Sequence, residues 1–310
     1  MKPKMEESEM EENVQWYTKN WKIGELNALV KILGEDVARR ILRGEVSVIL
    51  EEAIRMFFDK NGRRIPKGLR ANVCDANRDC YLDQPRMETE DDYAKRLSCL
   101  HNNLGIDTGI NAEQFKQEVE RQLALIRSNP QTANILNGVW LPVILPNLEA
   151  DDLGMVLEQY LEVAKRSYVR TFSNRKFNNY RKGELVGQVS TVNGSRYDKL
   201  IERMRRGPII GIYFPNPLQG FSIEASREQM DVLPDDLALS GLDIIIAMVM
   251  YPDVLARDWH TPGLDLAALS WRSAGSSLYL KAFDGYADFV NGGGLAHAYV
   301  YYSAGLVFFG

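Results

Sequence analysis

The sequence of 310 residues predicts an α+β protein, with a helical N-terminal part and a C-terminal part of short antiparallel strands mixed with some helix. Up to residue 206, apolar residues recur every three or four positions, which is typical of amphipathic helices. After residue 207 they form short runs separated by Gly, Asn and Asp, which is typical of strands joined by turns. We therefore predict a domain boundary near residue 206.

Several helices are predicted in the N-terminal part. Residues 18–60 carry apolar side chains at helical spacing. Residues 61–111 are polar and rich in turns. Asn111 and Gln114 form the pattern of a capping box and predict that a helix starts there. Asp151 and Asp152 precede the clearest amphipathic helix, and a further helix is predicted from Tyr197 to Met204.

The C-terminal part predicts strands bounded by turn residues. They cover residues 209–214, 221–225, 277–283, 298–302 and 306–309. The run 244–251 is apolar throughout, and periodicity fits either a buried strand or a buried helix.

The chain divides into four predicted segments by charge and composition. These are a disordered acidic tail (1–17), a mostly helical domain (18–150), a basic helical connector (151–206) and a C-terminal domain (207–310). The net charge is −5, but residues 163–206 hold twelve Lys or Arg against three acidic residues. Such an excess indicates a docking surface for an acidic partner.

The basic segment interleaves cations with aromatic residues between Tyr168 and Lys182. Cations neutralise phosphates and aromatic faces stack on bases, so the pattern is suited to single-stranded nucleic acid. The residues that would bind are Arg175, Lys176, Arg181 and Lys182. The alternative is a solvated helix end with Tyr168 and Phe172 packed on the core.

No catalytic residue, metal or cofactor is predicted, so we expect no enzymatic activity. The sequence contains no P-loop, no Gly-x-Ser-x-Gly and no His-Glu-x-x-His motif. The spacing of Cys74, Cys80, Cys99 and His101 departs from that of structural zinc sites. Asp258, His260 and Asp265 lie around Pro262-Gly263, where a hydrogen-bonded turn is the usual arrangement.

The three cysteines are few and odd in number, which favours a reducing, cytoplasmic location. No run approaches the roughly 20 apolar residues that span a bilayer. The acidic N-terminus lacks the apolar region of a signal peptide, so we expect no membrane association.

Residues 282–310 contain no Lys, Glu, Gln, Met or Trp, although the rest of the chain uses all five. These are the residue types that codons ending in a pyrimidine do not encode. Mutagenesis directed at the adenines of asparagine codons (AAY, where Y is a pyrimidine) produces this bias, because it changes the first two bases and keeps the pyrimidine at the third. The alternative is a Gly-rich, strand-rich terminus that lacks long side chains for structural reasons.

The C-terminal pattern resembles a known family. Residues 264–273 read LDLAALSWRS, followed by SLYL from Ser277, a Gly- and Asn-rich stretch, and YSAGLVFF from Tyr302. This resembles the end of C-type-lectin-like domains of the formylglycine-generating-enzyme type, and above all the variable proteins of diversity-generating retroelements. NWKIGELNALV from Asn20 and IYFP from Ile212 also resemble proteins of small-genome candidate bacteria, where such retroelements are common.

The resemblance implies a ligand-binding protein with a hypervariable C-terminal surface and an unknown macromolecular partner. Formylglycine-generating enzymes use cysteines in this part of the domain, and here none follows Cys99, so oxidase chemistry is not expected. The predicted variable residues, exposed and rich in adaptable contact types, are Ser270, Arg272, Ala274, Ser276, Tyr279, Tyr286, Asp288, Asn291, His297, Tyr299, Tyr301 and Tyr302. We expect Leu278, Leu280, Phe283, Leu306 and Phe308 to be buried, because successive side chains of a strand alternate between faces.

Overall fold

The structure is a computed structural model that describes residues 30, 31, 34–43, 45, 56–76, 79–105, 107–292 and 294–310. The chain divides into two compact units, residues 1–53 and 54–310. In the first unit, helix α1 spans Glu35–Leu42. The predicted tail of residues 1–17, and most of the helices predicted over 18–60, lie outside the described residues. Residues 56–60 are described and are not helical, so the prediction is wrong there: Phe58 pairs with Arg64 in an isolated bridge.

The second unit contains helices that the sequence pattern predicts and others that it does not. Their bounds are α2 Glu90–Leu104, α3 Ala112–Ser128, a 3-10 helix Ala133–Asn137, α4 Leu153–Thr171, α5 Tyr197–Met204, α6 Ile223–Gln229, α7 Leu242–Met250 and α8 Pro252–Leu255. The predicted helices α3, α4 and α5 are confirmed.

Capping residues explain where these helices start. Asn111 accepts from the Gln114 amide at 2.8 Å, and the Gln114 side chain accepts from the Asn111 amide at 3.1 Å, which makes the predicted capping box. Helix α2 begins in the same way at Thr89, whose backbone amide donates to Asp92 at 2.8 Å. The polar character assigned to residues 61–111 concealed this helix.

The strands form one large mixed sheet and one small sheet. Their bounds are β1 Leu141–Leu145, β2 Lys176–Asn179, β3 Val189–Thr191, β4 Ile209–Gln219, β5 Leu237–Leu239, β6 Gly263–Asp265, β7 Leu269–Trp271, β8 Ser277–Ala282, β9 Tyr286–Gly292 and β10 Tyr302–Phe308. The large sheet has the order β1-β4-β10-β6-β8-β9-β2, with β5 paired to β10. Strands β6 and β10 are parallel, as are β2 and β9, and the other pairs are antiparallel.

Two predicted strands are wrong. Residues 221–225 enter helix α6, because the Ser222 hydroxyl accepts from the Ala225 amide at 3.0 Å and caps the helix. Residues 298–301 form a turn in which the Tyr302 amide donates to the Tyr299 carbonyl at 3.2 Å. Residues 244–250 of the ambiguous run lie in helix α7, whose residues are all buried, and Tyr251 follows the end of the helix.

The α+β class is therefore confirmed, but the elements mix across the boundary predicted near residue 206. Strand β1 pairs with β4, and strand β2 pairs with β9. Helix α4 packs on α7, where the Ser167 hydroxyl donates to the Val249 carbonyl at 2.7 Å. Residues on both sides of 206 therefore share one hydrophobic core within the unit 54–310.

Candidate ligand-binding groove

A groove of about 230 Å³ lies where β6, β8 and β10 meet the turn before β10. Its lining residues are Ile223, Asp265, Tyr279, Asn291, Gly292, Gly294, Leu295, His297, Tyr299, Tyr301 and Tyr302. Six of the twelve predicted variable residues belong to this set: Tyr279, Asn291, His297, Tyr299, Tyr301 and Tyr302. The structure thus brings half of the predicted residues to one concave surface.

Strand register explains how the groove is assembled. Tyr302 at the start of β10 is level with Gly263 of β6, and Asp265 of β6 is level with Tyr279 of β8. The rings of Tyr279 and Tyr302 meet edge to face with centroids 5.1 Å apart. Three neighbouring strands therefore place two aromatic rings and one carboxyl group together.

The turn before β10 supplies the outer wall. Gly294 has φ of 76°, a left-handed conformation that favours glycine, and its carbonyl accepts from the His297 amide at 3.3 Å. The ring of Tyr299 lies 5.6 Å from that of Tyr302 and 6.1 Å from the imidazole of His297. Tyr299 and Tyr301 are 43% and 39% exposed, so their rings are available for contact.

Asp265 is the acidic residue among the five groove residues that the sequence analysis did not predict; the others are Ile223, Gly292, Gly294 and Leu295. Its residue exposure is 7%, and no described group donates a hydrogen bond to its carboxyl oxygens. Burial raises the pKa of the Asp265 carboxyl to about 8, because ionisation is unfavourable away from water. The available signal was a single acidic residue within an otherwise apolar strand, since an aspartate is rarely buried without a partner.

The ammonium group of Lys281 lies near the rings of Tyr301 and Tyr302, which belong to the tyrosine wall of the groove. Its ammonium group donates to the Thr261 carbonyl at 3.3 Å and lies 5.1 Å from the ring centre of Tyr301. The ring of Tyr302 is 5.7 Å from the same nitrogen. Burial lowers the pKa of Lys281. The rings of Tyr301 and Tyr302 therefore already contact one cation of the protein itself.

Four other predicted variable residues lie at a second place, beside β3. Ser270 is buried with its hydroxyl 2.9 Å from that of Ser190, which differs from the exposed position predicted for it. Arg272 is exposed and donates to Glu184 at 2.9 Å. Ala274 is also exposed, and the Ser276 hydroxyl bonds the Trp271 carbonyl.

Tyr286 and Asp288 lie on β9, outside the groove. The Tyr286 ring stacks on that of Phe283 with centroids 4.7 Å apart. Phe283 is only partly buried, so its predicted burial is wrong. Asp288 accepts from the Asn178 amide group at 2.8 Å. The other four residues predicted to be buried are confirmed as buried: Leu278, Leu280, Leu306 and Phe308.

The four candidate nucleic-acid-binding cations lie near β2. Arg175 donates to the Arg257 carbonyl and covers the Phe172 ring at 4.2 Å. Arg181 pairs with Glu184 at 3.1 Å, and Lys182 pairs with Glu162 at 2.9 Å. Lys176 is exposed. Contacts within the chain therefore engage three of the four cations.

Asp258, His260 and the three cysteines are the remaining candidates for chemistry. Asp258 accepts from the His260 amide at 2.9 Å, which makes the predicted turn, and Asp265 is separate from it in β6. Cys74, Cys80 and Cys99 are free thiols. Within the described ranges no three His, Cys, Asp or Glu side chains cluster as metal ligands, and no helix could cross a membrane.

Comparison with known proteins gives no assignment. No protein-family model, curated protein or solved structure matches the chain.

Proposed function

We propose that this protein binds a macromolecular ligand through the groove, and that a retroelement diversifies the groove wall by adenine mutagenesis. The observation that supports it is the convergence of predicted variable residues. Tyr279, Asn291, His297 and three further tyrosines come from three strands and the turn before β10, and all line one cavity.

The groove residues suit variable recognition. Tyrosine gives a large, rigid contact area at low entropic cost, and small polar residues adapt their hydrogen bonds. Aromatic side chains are also enriched among residues that dominate binding energy. A wall built of Tyr299, Tyr301 and Tyr302 with Asn291 therefore has the composition expected of a binding surface.

A separate scaffold supports the wall. Leu278 and Leu280 alternate with Tyr279 along β8 and are buried, while Tyr279 reaches the groove. Substitution at groove positions would leave such a core unchanged. We further propose that the C-terminal strands belong to a C-type-lectin-like ligand-binding fold, and that the protein is bacterial and cytoplasmic. The three free thiols agree with a reducing compartment.

A genomic comparison tests the proposal. We expect a reverse transcriptase gene nearby and a template repeat that matches the 3′ end of this gene except at adenines. Mismatches should fall on codons for Tyr299, Tyr301 and His297, and spare those for Leu278 and Leu280. A repeat without adenine mismatches, or mismatches spread equally over core and groove codons, would contradict the proposal.

A further inference from the structure

We propose that the groove selects an arginine side chain of a protein ligand, with Asp265 as the counter-ion for its guanidinium group. This inference rests on the proposed function, because it names the chemical class of ligand for the same groove.

The first argument is the carboxyl group at the floor of the groove. Asp265 lines the cavity, is almost fully buried, and receives no hydrogen bond from any described residue. Buried polar groups are usually hydrogen-bonded, since burying one without a partner costs free energy. A ligand that carries donors and a positive charge would supply the missing partner.

The second argument is the aromatic wall. Tyr279, Tyr299, Tyr301 and Tyr302 line the groove together with Asp265. Aromatic faces attract cations, and the planar guanidinium group both stacks on rings and donates two parallel hydrogen bonds to a carboxylate. Lys281 already shows that the rings of Tyr301 and Tyr302 accept a cation within 6 Å.

The third argument is the position of Asp265 along the chain. It precedes residues 282–310, whose composition indicates mutagenesis, whereas Tyr299, Tyr301 and Tyr302 lie within them. Asp265 would therefore keep its preference for a cation while the tyrosine positions of the wall vary. Different variants would share the arginine anchor and differ in its surroundings.

The test compares n-butylguanidinium with n-butylurea, its neutral isostere, by saturation-transfer NMR titration of the full chain at pH 9. We expect n-butylguanidinium to bind about tenfold or more tightly than n-butylurea, because a buried charge pair is strongly coupled. Asp265→Asn should remove the difference. The affinity of the wild-type protein for n-butylguanidinium should increase about tenfold for each pH unit as the pH is raised towards about 8, because the carboxyl is mostly protonated below that pH.

Other titratable groups near the carboxyl are Tyr213 from β4, Tyr279 from β8, Tyr302 from β10, and Tyr299, Tyr301 and His297 from the turn. Histidine commonly changes charge near neutral pH, so the variant His297→Gln separates that residue from Asp265. Whatever its effect on the absolute affinity, this variant should keep the shape of the wild-type pH profile. Equal affinities for the two compounds, no transfer from either, or a pH-independent affinity would overturn the inference. The two tests can be told apart. If the template repeat matches as expected but n-butylguanidinium and n-butylurea bind equally well, only the arginine inference is wrong. A repeat without adenine mismatches would instead overturn the proposed function.

Discussion

Gly263 lies against the ring of Tyr302, so closely that a β-carbon at position 263 would approach Tyr302 Cε1 to 2.6 Å. The two residues are level in the parallel pairing of β6 and β10. The absence of a side chain at position 263 therefore lets the Tyr302 ring rest on the backbone of β6. This contact fixes one wall of the groove.

We predict that Gly263→Ala destabilises the protein and weakens groove binding. The methyl group must displace the Tyr302 ring, and overpacking of this kind costs about 1–3 kcal/mol. Denaturant unfolding measures the change in free energy. Gly285→Ala is the matched control: its β-carbon would meet no atom within 4 Å, so we expect a change within about 0.5 kcal/mol. Equal effects of the two substitutions would contradict the role given to Gly263.

The double variant Tyr299→Ala/Tyr301→Ala should lose ligand binding and keep its fold. Both rings are exposed at the groove, and aromatic anchors of an interface contribute about 2 kcal/mol or more each. The measurement is the affinity for peptides selected on the wild-type protein from a display library, together with the melting temperature. Tyr286→Ala removes an equally exposed tyrosine outside the groove and should leave affinity unchanged. Loss of binding in the control with retention in the double variant would place the binding surface elsewhere.

Asp265→Asn should make the protein more stable at high pH. The carboxyl has a pKa of about 8 in the folded protein and about 3.9 when unfolded. Its stabilising protonated form is therefore fully present below pH 4, and stability is lost as pH rises towards 8. Asparagine has no such dependence. We expect the variant to gain about 2 kcal/mol or more on wild type between pH 4.5 and pH 8.5, measured by urea unfolding. A pH-independent difference would show that the carboxyl does not titrate in this range.

Local patterns predicted much of the fold. The Asn111–Gln114 capping box and the apolar stripe after Asp152 gave α3 and α4, because caps and helical periodicity depend on neighbouring residues alone. Helix α7 could not be distinguished from a strand, since it is buried on every side and carries no polar face. The strand predicted over residues 221–225 failed because the Ser222 cap outweighed the apolar run.

The site was predictable in part. Composition marked Tyr299, Tyr301 and Tyr302, which lie close in the sequence as well as in the groove. Asp265 was missed as a groove residue because its place depends on strand pairing: β6 is parallel to β10 and antiparallel to β8. Such long-range register leaves no mark in a single sequence. The domain boundary predicted near residue 206 is wrong because β1 and β4 pair across it, and such long-range pairing is also not visible in the sequence.

The basic segment should not form a salt-sensitive complex with nucleic acid. Phosphate binding would require Arg181 and Lys182 to exchange Glu184 and Glu162 for the ligand, and Arg175 to leave the Arg257 carbonyl. We therefore expect weak, non-specific binding at most to single- or double-stranded DNA or RNA in electrophoretic titrations from low to physiological salt.

The variant with Ala at Arg175, Lys176, Arg181 and Lys182 should match one with Ala at Lys60, Lys67, Lys95 and Lys116, which removes the same charge outside the segment. A genuine phosphate site would behave differently: the logarithm of the binding constant would fall linearly with the logarithm of salt concentration, and only the first variant would flatten that slope. Such a result would make nucleic-acid binding the leading function of this protein.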